Sequence, residues 1–154
     1  MKNNLKIERL SENNFGYFIR LMEKLAEFEK LNPPDAKAMQ RLKKDGLGSK
    51  PRYSAYLAKS NDKYIGYIIY FTAYSSFLAL PTFYLEDLFV AEEHRGKGFG
   101  QMMLDFCIDK AKRMDCGRLD LNVLTWNERA RKFYGKNRFE CIDWKVYRLD
   151  LVKW

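Results

Sequence analysis

The chain is short of several things, and each shortage removes a class of protein. It holds three cysteines, Cys107, Cys116 and Cys141, and a single histidine, His94, in 154 residues. An odd number of thiols, spaced as neither C-x-x-C nor a zinc pattern, argues against a disulfide framework and a metal site and agrees with a reducing compartment. His94 beside a basic loop reads as a surface turn residue rather than an acid–base catalyst. No apolar run reaches the roughly 18 residues that a membrane span needs. The opening Met1-Lys2-Asn3-Asn4-Leu5-Lys6 lacks the apolar core of a secretion signal. The expectation is a soluble, cytoplasmic protein with no membrane partner and no bound metal. Internal repeats and low-complexity stretches are also missing, and 47% hydrophobic content suits one compact domain over residues 1–154.

Acidic residues are the next shortage, since Lys and Arg outnumber them to leave a formal charge of +8. Such a balance attracts anions: a nucleotide cofactor, nucleic acid or an acidic protein. The basic residues are scattered at helical spacing, as on solvated faces. A nucleic-acid module needs a clustered cationic face with exposed aromatics, so nucleic acid is not the expected partner.

The order of patterns is β-α-α-β-β-β-α-β-α-β-β. Leu5 to Arg9 reads as a strand, and Ser11 offers a cap for a helix with Phe15, Phe18, Ile19, Met22, Leu25 and Ala26 on one face. Asn32-Pro33-Pro34 ends it, Asp35 caps a second helix, and Asp45-Gly46 stops that one. Tyr53 to Ala58 and Tyr64 to Tyr74 flank a hairpin turn at Ser60 to Lys63, and Phe83 to Val90 forms the next strand. An amphipathic helix follows from near Gly98 to Gly117, then a strand over Arg118 to Leu124 and a helix over Trp126 to Lys136 with Asn127 near its start. Two extended stretches, Arg138 to Ile142 and Lys145 to Val152, finish the chain.

What the sequence does have is Arg95-Gly96-Lys97-Gly98-Phe99-Gly100-Gln101 between a strand and a helix. Alternate glycines let the backbone turn tightly and point several N–H groups at one anion on a helix N-terminus, while Arg95 and Lys97 add charge. Gln101 stands where a dinucleotide fingerprint needs its third glycine. Gly98 follows Lys97 where a P-loop needs Ser or Thr. The remaining pattern, R-x-x-G-x-G, is compatible with a phosphate cradle or an ordinary glycine turn.

A second motif narrows the choice: Asn127 to Tyr134 carries N-x-x-A-x-x-F-Y. Together the two motifs resemble the GCN5-related N-acetyltransferase superfamily. The segment Tyr84-Leu85-Glu86-Asp87-Leu88-Phe89-Val90 is similar to the Y-L-E-D-F-F-V strand of its diamine (spermidine/spermine) acetyltransferase-like subgroup. Leu25 to Glu29, Asp45 to Gly48 and Trp144 to Asp150 also resemble that subgroup. The resemblance implies an α/β single-domain fold with a central mixed, mostly antiparallel twisted sheet flanked by about four helices. The implied activity is acetyl transfer from acetyl-CoA to a primary amine of a small polyamine, diamine or lysine-like substrate. A protein N-terminal or lysine acetyltransferase is the alternative.

By the same resemblance Gly96, Lys97, Gly98, Phe99, Gly100 and Gln101 hold the cofactor pyrophosphate with Arg95 nearby. The backbone of Leu88, Phe89 and Val90 pairs with the pantetheine arm like an added strand. Asn127, Glu128, Arg129, Ala130 and Tyr134 hold the cofactor's other side, and the family's dimers often share site residues, so a homodimer is implied. An ammonium of pKa near 10.4 must lose a proton before attack, and Glu86 is positioned on the strand to accept it; Tyr134 can protonate the leaving thiolate. Glu29, Glu86 and Asp87 are the acidic positions for a cationic amine. Trp126, Phe77, Tyr74 and Phe28 are aromatics for which a cation–π wall and plain packing both stand open. Glu86 and Asp87, being adjacent on a strand, are expected on opposite faces. The chain departs from the subgroup at Tyr74-Ser75-Ser76-Phe77, which lacks its acidic residue and tryptophan. Arg138 replaces the glycine of F-Y-x-x-x-G-F, with Asn137 expected to take the left-handed turn instead.

Overall fold

The computed structural model describes residues 4–152 and divides into a first unit ending at Leu121 and a second beginning at Asn122. The first unit is built on five strands in the order β1-β2-β3-β4-β5. These are β1 (Lys6–Arg9), β2 (Ser54–Ser60), β3 (Lys63–Ser75), β4 (Leu80–Val90) and β5 (Arg118–Asp120). The first four pair antiparallel with their neighbours; β4 and β5 run parallel, giving a mixed, mostly antiparallel sheet. Its helices are α1 (Phe15–Glu29), α2 (Ala36–Leu47) and α3 (Phe99–Arg113).

Side-chain chemistry sets the helix ends. Asn14, not Ser11, is the cap residue of α1: its Oδ1 accepts the Ser11 N–H at 2.8 Å and its Nδ2 donates to the Arg9 carbonyl at 3.0 Å. A buried amide with both functions used fixes the chain's entry into the helix. Lys30 adopts φ 58° after α1 and the prolines keep the chain out of helix, as expected. Asp35 caps α2 through the Ala38 N–H at 2.7 Å. That helix runs through Gly46 to Leu47 rather than stopping at Asp45. The glycine is there for room: a Cβ would strike the Tyr53 hydroxyl, which donates to the Leu42 carbonyl at 2.6 Å.

The two sheet faces have separate cores. On one face Phe18, Ile19 and Leu21 of α1 pack with Leu57, Tyr67, Ile69 and Phe89. The edge of the Phe18 ring meets Tyr67, with centroids 5.3 Å apart. On the other face Tyr70 stacks on Phe83 at 4.1 Å, while Phe106 of α3 packs on Tyr56 at 4.9 Å. α3 stops at Arg113, short of Gly117, and Asp115 takes φ 52°. Gly117 instead donates its N–H to Pro81 at 2.9 Å and lies so close to Leu78 and Leu80 that a Cβ has no room. The expected strand from Arg118 to Leu124 is real only to Asp120.

The second unit contains α4 (Glu128–Lys136), capped by Asn127 as expected, whose side chain accepts the Ala130 N–H at 3.1 Å. The two expected terminal strands are not formed within the described residues. A strand needs a neighbour to take its backbone hydrogen bonds. Here both alternating sets are exposed: Trp144 and Val146 on one, Tyr147 and Leu149 on the other. The left-handed turn after α4 falls on Arg138 itself, φ 65°, while Asn137 stays at φ −93° and donates its side-chain amide to Phe133 at 2.9 Å.

Candidate active site

The centre of the first unit's chemistry is an irregularity in β4. Opposite β3, Ile69 pairs with Asp87 and Tyr70 with Leu85, so Glu86 is an extra residue without a partner of its own. This bulge interrupts the alternation of faces. Leu85 shares the α3 face with Tyr70, and Asp87 shares the α1 face with Ile69, although residues two apart in a regular strand face the same way. The expectation that Glu86 and Asp87 face opposite sides rests on a regular alternation that the bulge interrupts, and the charge of Glu86 raises Asp87.

Three acids feel each other here. Asp87 is pushed up to about 7, first by burial of its carboxyl and then by the charge of Glu86, with Glu29 adding to it. Glu29, the last residue of α1, is raised by burial and by Glu86. Tyr67, fully buried, donates its hydroxyl to Oδ2 of Asp87 at 3.3 Å, and burial holds its own ionisation well above the ordinary tyrosine range. Tyr84 is also raised, by burial and then by Glu86 and Asp120. In a chain of charge +8 this is a local reversal of sign. The sequence reading missed Tyr67, because its meeting with Asp87 depends on the pairing register of β3 with β4.

Toward its end the outer edge of β4 pairs with no strand among the described residues. Ala91 N–H donates to Ile65 at 2.8 Å, so by antiparallel alternation Phe89 and Asp87 also spend their backbone groups on β3 while Val90 and Leu88 turn theirs away. On that outer side β5 covers only Thr82 to Tyr84. Of the three backbone positions expected to receive a strand-like ligand, Leu88 and Val90 face outward and Phe89 faces β3. The Val90 carbonyl accepts Nε of Arg95 at 2.8 Å. The Arg95 guanidinium lies 4.9 Å over the Phe28 ring and 5.7 Å over Phe89, so Phe28 holds a cation of the protein's own.

The glycine loop then enters α3. Gly96 and Gly98 have φ 76° and 83°, and space around both is open. The first internal bond of α3 runs from Met102 N–H to Gly98 at 3.2 Å, leaving the N–H groups of Phe99, Gly100 and Gln101 directed out of the helix end. Phe99 buries its ring. Lys97 reaches the Glu93 carbonyl at 3.1 Å and the Gln101 amide reaches Asp105 at 2.9 Å. An uncrowded, left-handed loop on the positive end of a fifteen-residue helix fits a pyrophosphate, and the outer edge of β4 fits an extended amide chain.

In the second unit Asn127 caps the helix carrying Glu128, Arg129 and Ala130, and Tyr134 is half-buried with its ring 5.3 Å from Phe139. Trp126 is half exposed before the cap. Phe77 is fully exposed at the tip between β3 and β4, and Tyr74 largely so; packing does not account for Phe77. No metal-binding cluster of His, Cys, Asp and Glu occurs among the described residues, and no described helix is long and apolar enough to cross a membrane.

Residues 18–139 match the Acetyltransferase (GNAT) family, and the chain belongs to it. It is an acetyl-CoA-dependent N-acetyltransferase of the diamine acetyltransferase-like subgroup. Thialysine N-epsilon-acetyltransferase of Bos taurus is 30% identical over 94% of this chain and 91% of its own length. The spermidine/spermine N(1)-acetyltransferase-like protein 1 of Homo sapiens is 27% identical over 75% of this chain and 18% of that protein. In fold the chain is similar to the aminoglycoside N-acetyltransferase AAC(6')-Iy in complex with CoA, at a TM-score of 0.80, 14% identity and coverage of 99% and 98%.

Proposed function

We propose that the protein acetylates a primary amine of a small cationic substrate, a polyamine, diamine or lysine-like amino acid, by direct transfer within a ternary complex. The observation that carries this is the convergence of Glu29, Glu86 and Asp87 in an otherwise basic chain. A cationic amine is attracted there, whereas a neutral peptide needs no such group. The names of the relatives, a thialysine and a spermidine/spermine-like acetyltransferase, support the same class.

Acetyl-CoA supplies the activated acetyl thioester. Leu88 and Val90 offer outward backbone groups to an extended amide arm, and the N–H groups from Gly96 to Gln101 receive the pyrophosphate. Arg95 serves chiefly to fasten the loop to Phe28, Phe89 and the Val90 carbonyl. Asn127 to Ala130, Trp126 and Tyr134 take the roles that the family pattern gives them. Glu86, exposed on the bulge, accepts a proton from the ammonium. As the C–N bond forms and the C–S bond breaks, the Tyr134 hydroxyl protonates the departing thiolate and recovers the amine's second proton. We place the enzyme in the cytoplasm as a homodimer, in keeping with the family and its unpaired cysteines.

An amine panel tests the reading: thiol release from acetyl-CoA with spermidine, putrescine, lysine, thialysine, ornithine and a basic peptide. Turnover with the small diamines well above that with the peptide is expected. Turnover of the peptide alone would transfer the assignment to a protein acetyltransferase.

A further inference from the structure

We propose that Tyr67 is a positioning residue of the amine site: its buried hydroxyl, donating to Oδ2 of Asp87, holds that carboxylate at the bulge and sets the pH range in which the acidic trio attracts a cation. The inference rests on the amine-site reading above and deepens it. Four observations carry it. Tyr67 is fully buried, locked edge-on against Phe18 at 5.3 Å and beside Phe89 at 5.8 Å. Its hydroxyl has little freedom to move, and it reaches Asp87 at 3.3 Å. The register pairs Tyr67 with Phe89 and Ile69 with Asp87, so Asp87 lies two residues along β4 from Tyr67's partner, on the same face and within diagonal reach of its hydroxyl. Finally, no other side-chain donor is recorded on Asp87 among the described residues.

The groups around Asp87 come from three elements. Tyr67 on β3 donates to it, Glu86 on β4 and Glu29 at the end of α1 repel it, and Arg95 packs its guanidinium on Phe28 and Phe89 of the neighbouring α1 and β4. Burial and two like charges favour the neutral acid, while the Tyr67 hydroxyl favours the carboxylate. With the pair intact, Asp87 ionises near 7, within the range in which a cytoplasmic enzyme works. Without the hydroxyl the opposing influences prevail, and ionisation moves to higher pH. An amine meets one more negative charge, that of Asp87, above that point than below it.

The experiment compares the pH dependence of kcat/KM for a diamine, at saturating acetyl-CoA, in the wild type, Tyr67→Phe and Asp87→Asn. Alongside it, the side-chain carboxyl of Asp87 is titrated by carbon-13 NMR in the free protein. The expected wild-type inflection lies at about 7. In Tyr67→Phe, which removes one oxygen and keeps the packed ring, both inflection and NMR midpoint move up by about one pH unit. Asp87→Asn abolishes that inflection. An unshifted NMR midpoint in a Tyr67→Phe variant that still melts cooperatively overturns the proposal. The NMR arm decides even if no amine in the panel turns over, an outcome that counts against the amine-site reading instead.

Discussion

Two neighbouring stretches, the bulge in β4 and the loop that leaves it, handle charge in opposite ways. The loop from Arg95 to Gln101 prepares for an anion with backbone: two left-handed glycines and the N–H groups of a helix end, with its arginine folded back onto aromatic rings. The bulge at Glu86 and Asp87, the proposed cation site, works with side chains, and burial with the charge of Glu86 pushes Asp87 toward neutrality. The backbone N–H groups of the first arrangement carry no titrating proton. The second is poised near neutral pH. Cofactor affinity should therefore be indifferent to pH where amine capture is not, and each can be disturbed separately.

The largest effects belong to the proposed proton carriers. Glu86→Gln is expected to lower kcat by about 10²–10⁴-fold with little change in acetyl-CoA affinity. Tyr134→Phe should likewise lower turnover more than cofactor affinity. Steady-state kinetics and calorimetric binding of CoA check both. A Glu86→Gln variant with wild-type turnover would pass the proton-acceptor role to another group, Asp87 first.

Next in size is a cost to stability. Asp87 is shifted from 3.8 to about 7, so between those values the folded chain binds more protons than the unfolded one. Stability contributed by the protonated form is complete below about pH 4 and is lost as pH rises through 7. At 1.36 kcal/mol per unit, holding the ionised form costs at most about 4 kcal/mol. Asp87→Asn should thus melt higher than wild type at pH 8 and gain little or nothing at pH 4, while binding the amine more weakly. Melting curves at the two pH values check the sign. A lower melting point at pH 8 means that the carboxylate is stabilising, and the strained cation site is gone.

The backbone-made loop predicts a different hierarchy. Gly98→Ala forces a side chain into φ 83° and costs about 1–2 kcal/mol, although a Cβ meets nothing there. The expected result is roughly a tenfold rise in the acetyl-CoA KM, with kcat at saturation preserved. Lys97→Ala should change it less than threefold at physiological salt, since the exposed charge is screened. A Lys97 effect larger than the Gly98 effect would make the loop a side-chain site and erase the contrast with the bulge.

The same contrast explains what could be read in advance. Glycine turns, the Asp35 and Asn127 caps, the hairpin at Ser60 to Lys63 and the strand–loop–helix order are local, and local chemistry writes them into adjacent residues. Family motifs then gave the cofactor. The bulge leaves no such mark, because Tyr84-Leu85-Glu86-Asp87 carries no glycine or proline; it exists through register with Ile69 and Tyr70. Tyr67 was invisible because it meets Asp87 through the pairing of β3 with β4, far apart in sequence. The terminal strands failed in the opposite sense: Lys145 to Val152 alternates well, but alternation describes only a face, and a strand also requires a partner edge.

Arg138 offers the smallest and most local test of backbone-made geometry. It adopts φ 65° after α4, as Gly96 and Gly98 adopt theirs, yet has a Cβ. Asn137, which tolerates that conformation better, stays right-handed because its amide is committed to the Phe133 carbonyl at 2.9 Å. The helix end thus keeps the family turn at the family position despite the unfavourable residue. Arg138→Gly should relieve the strain and stabilise the turn by about 1 kcal/mol, less the greater entropy of glycine in the unfolded chain. Asn137→Ala should destabilise it by a comparable amount through the lost amide bond. Denaturant midpoints measure both changes; a destabilised Arg138→Gly would show that the arginine side chain contributes more to this end of α4 than its backbone costs.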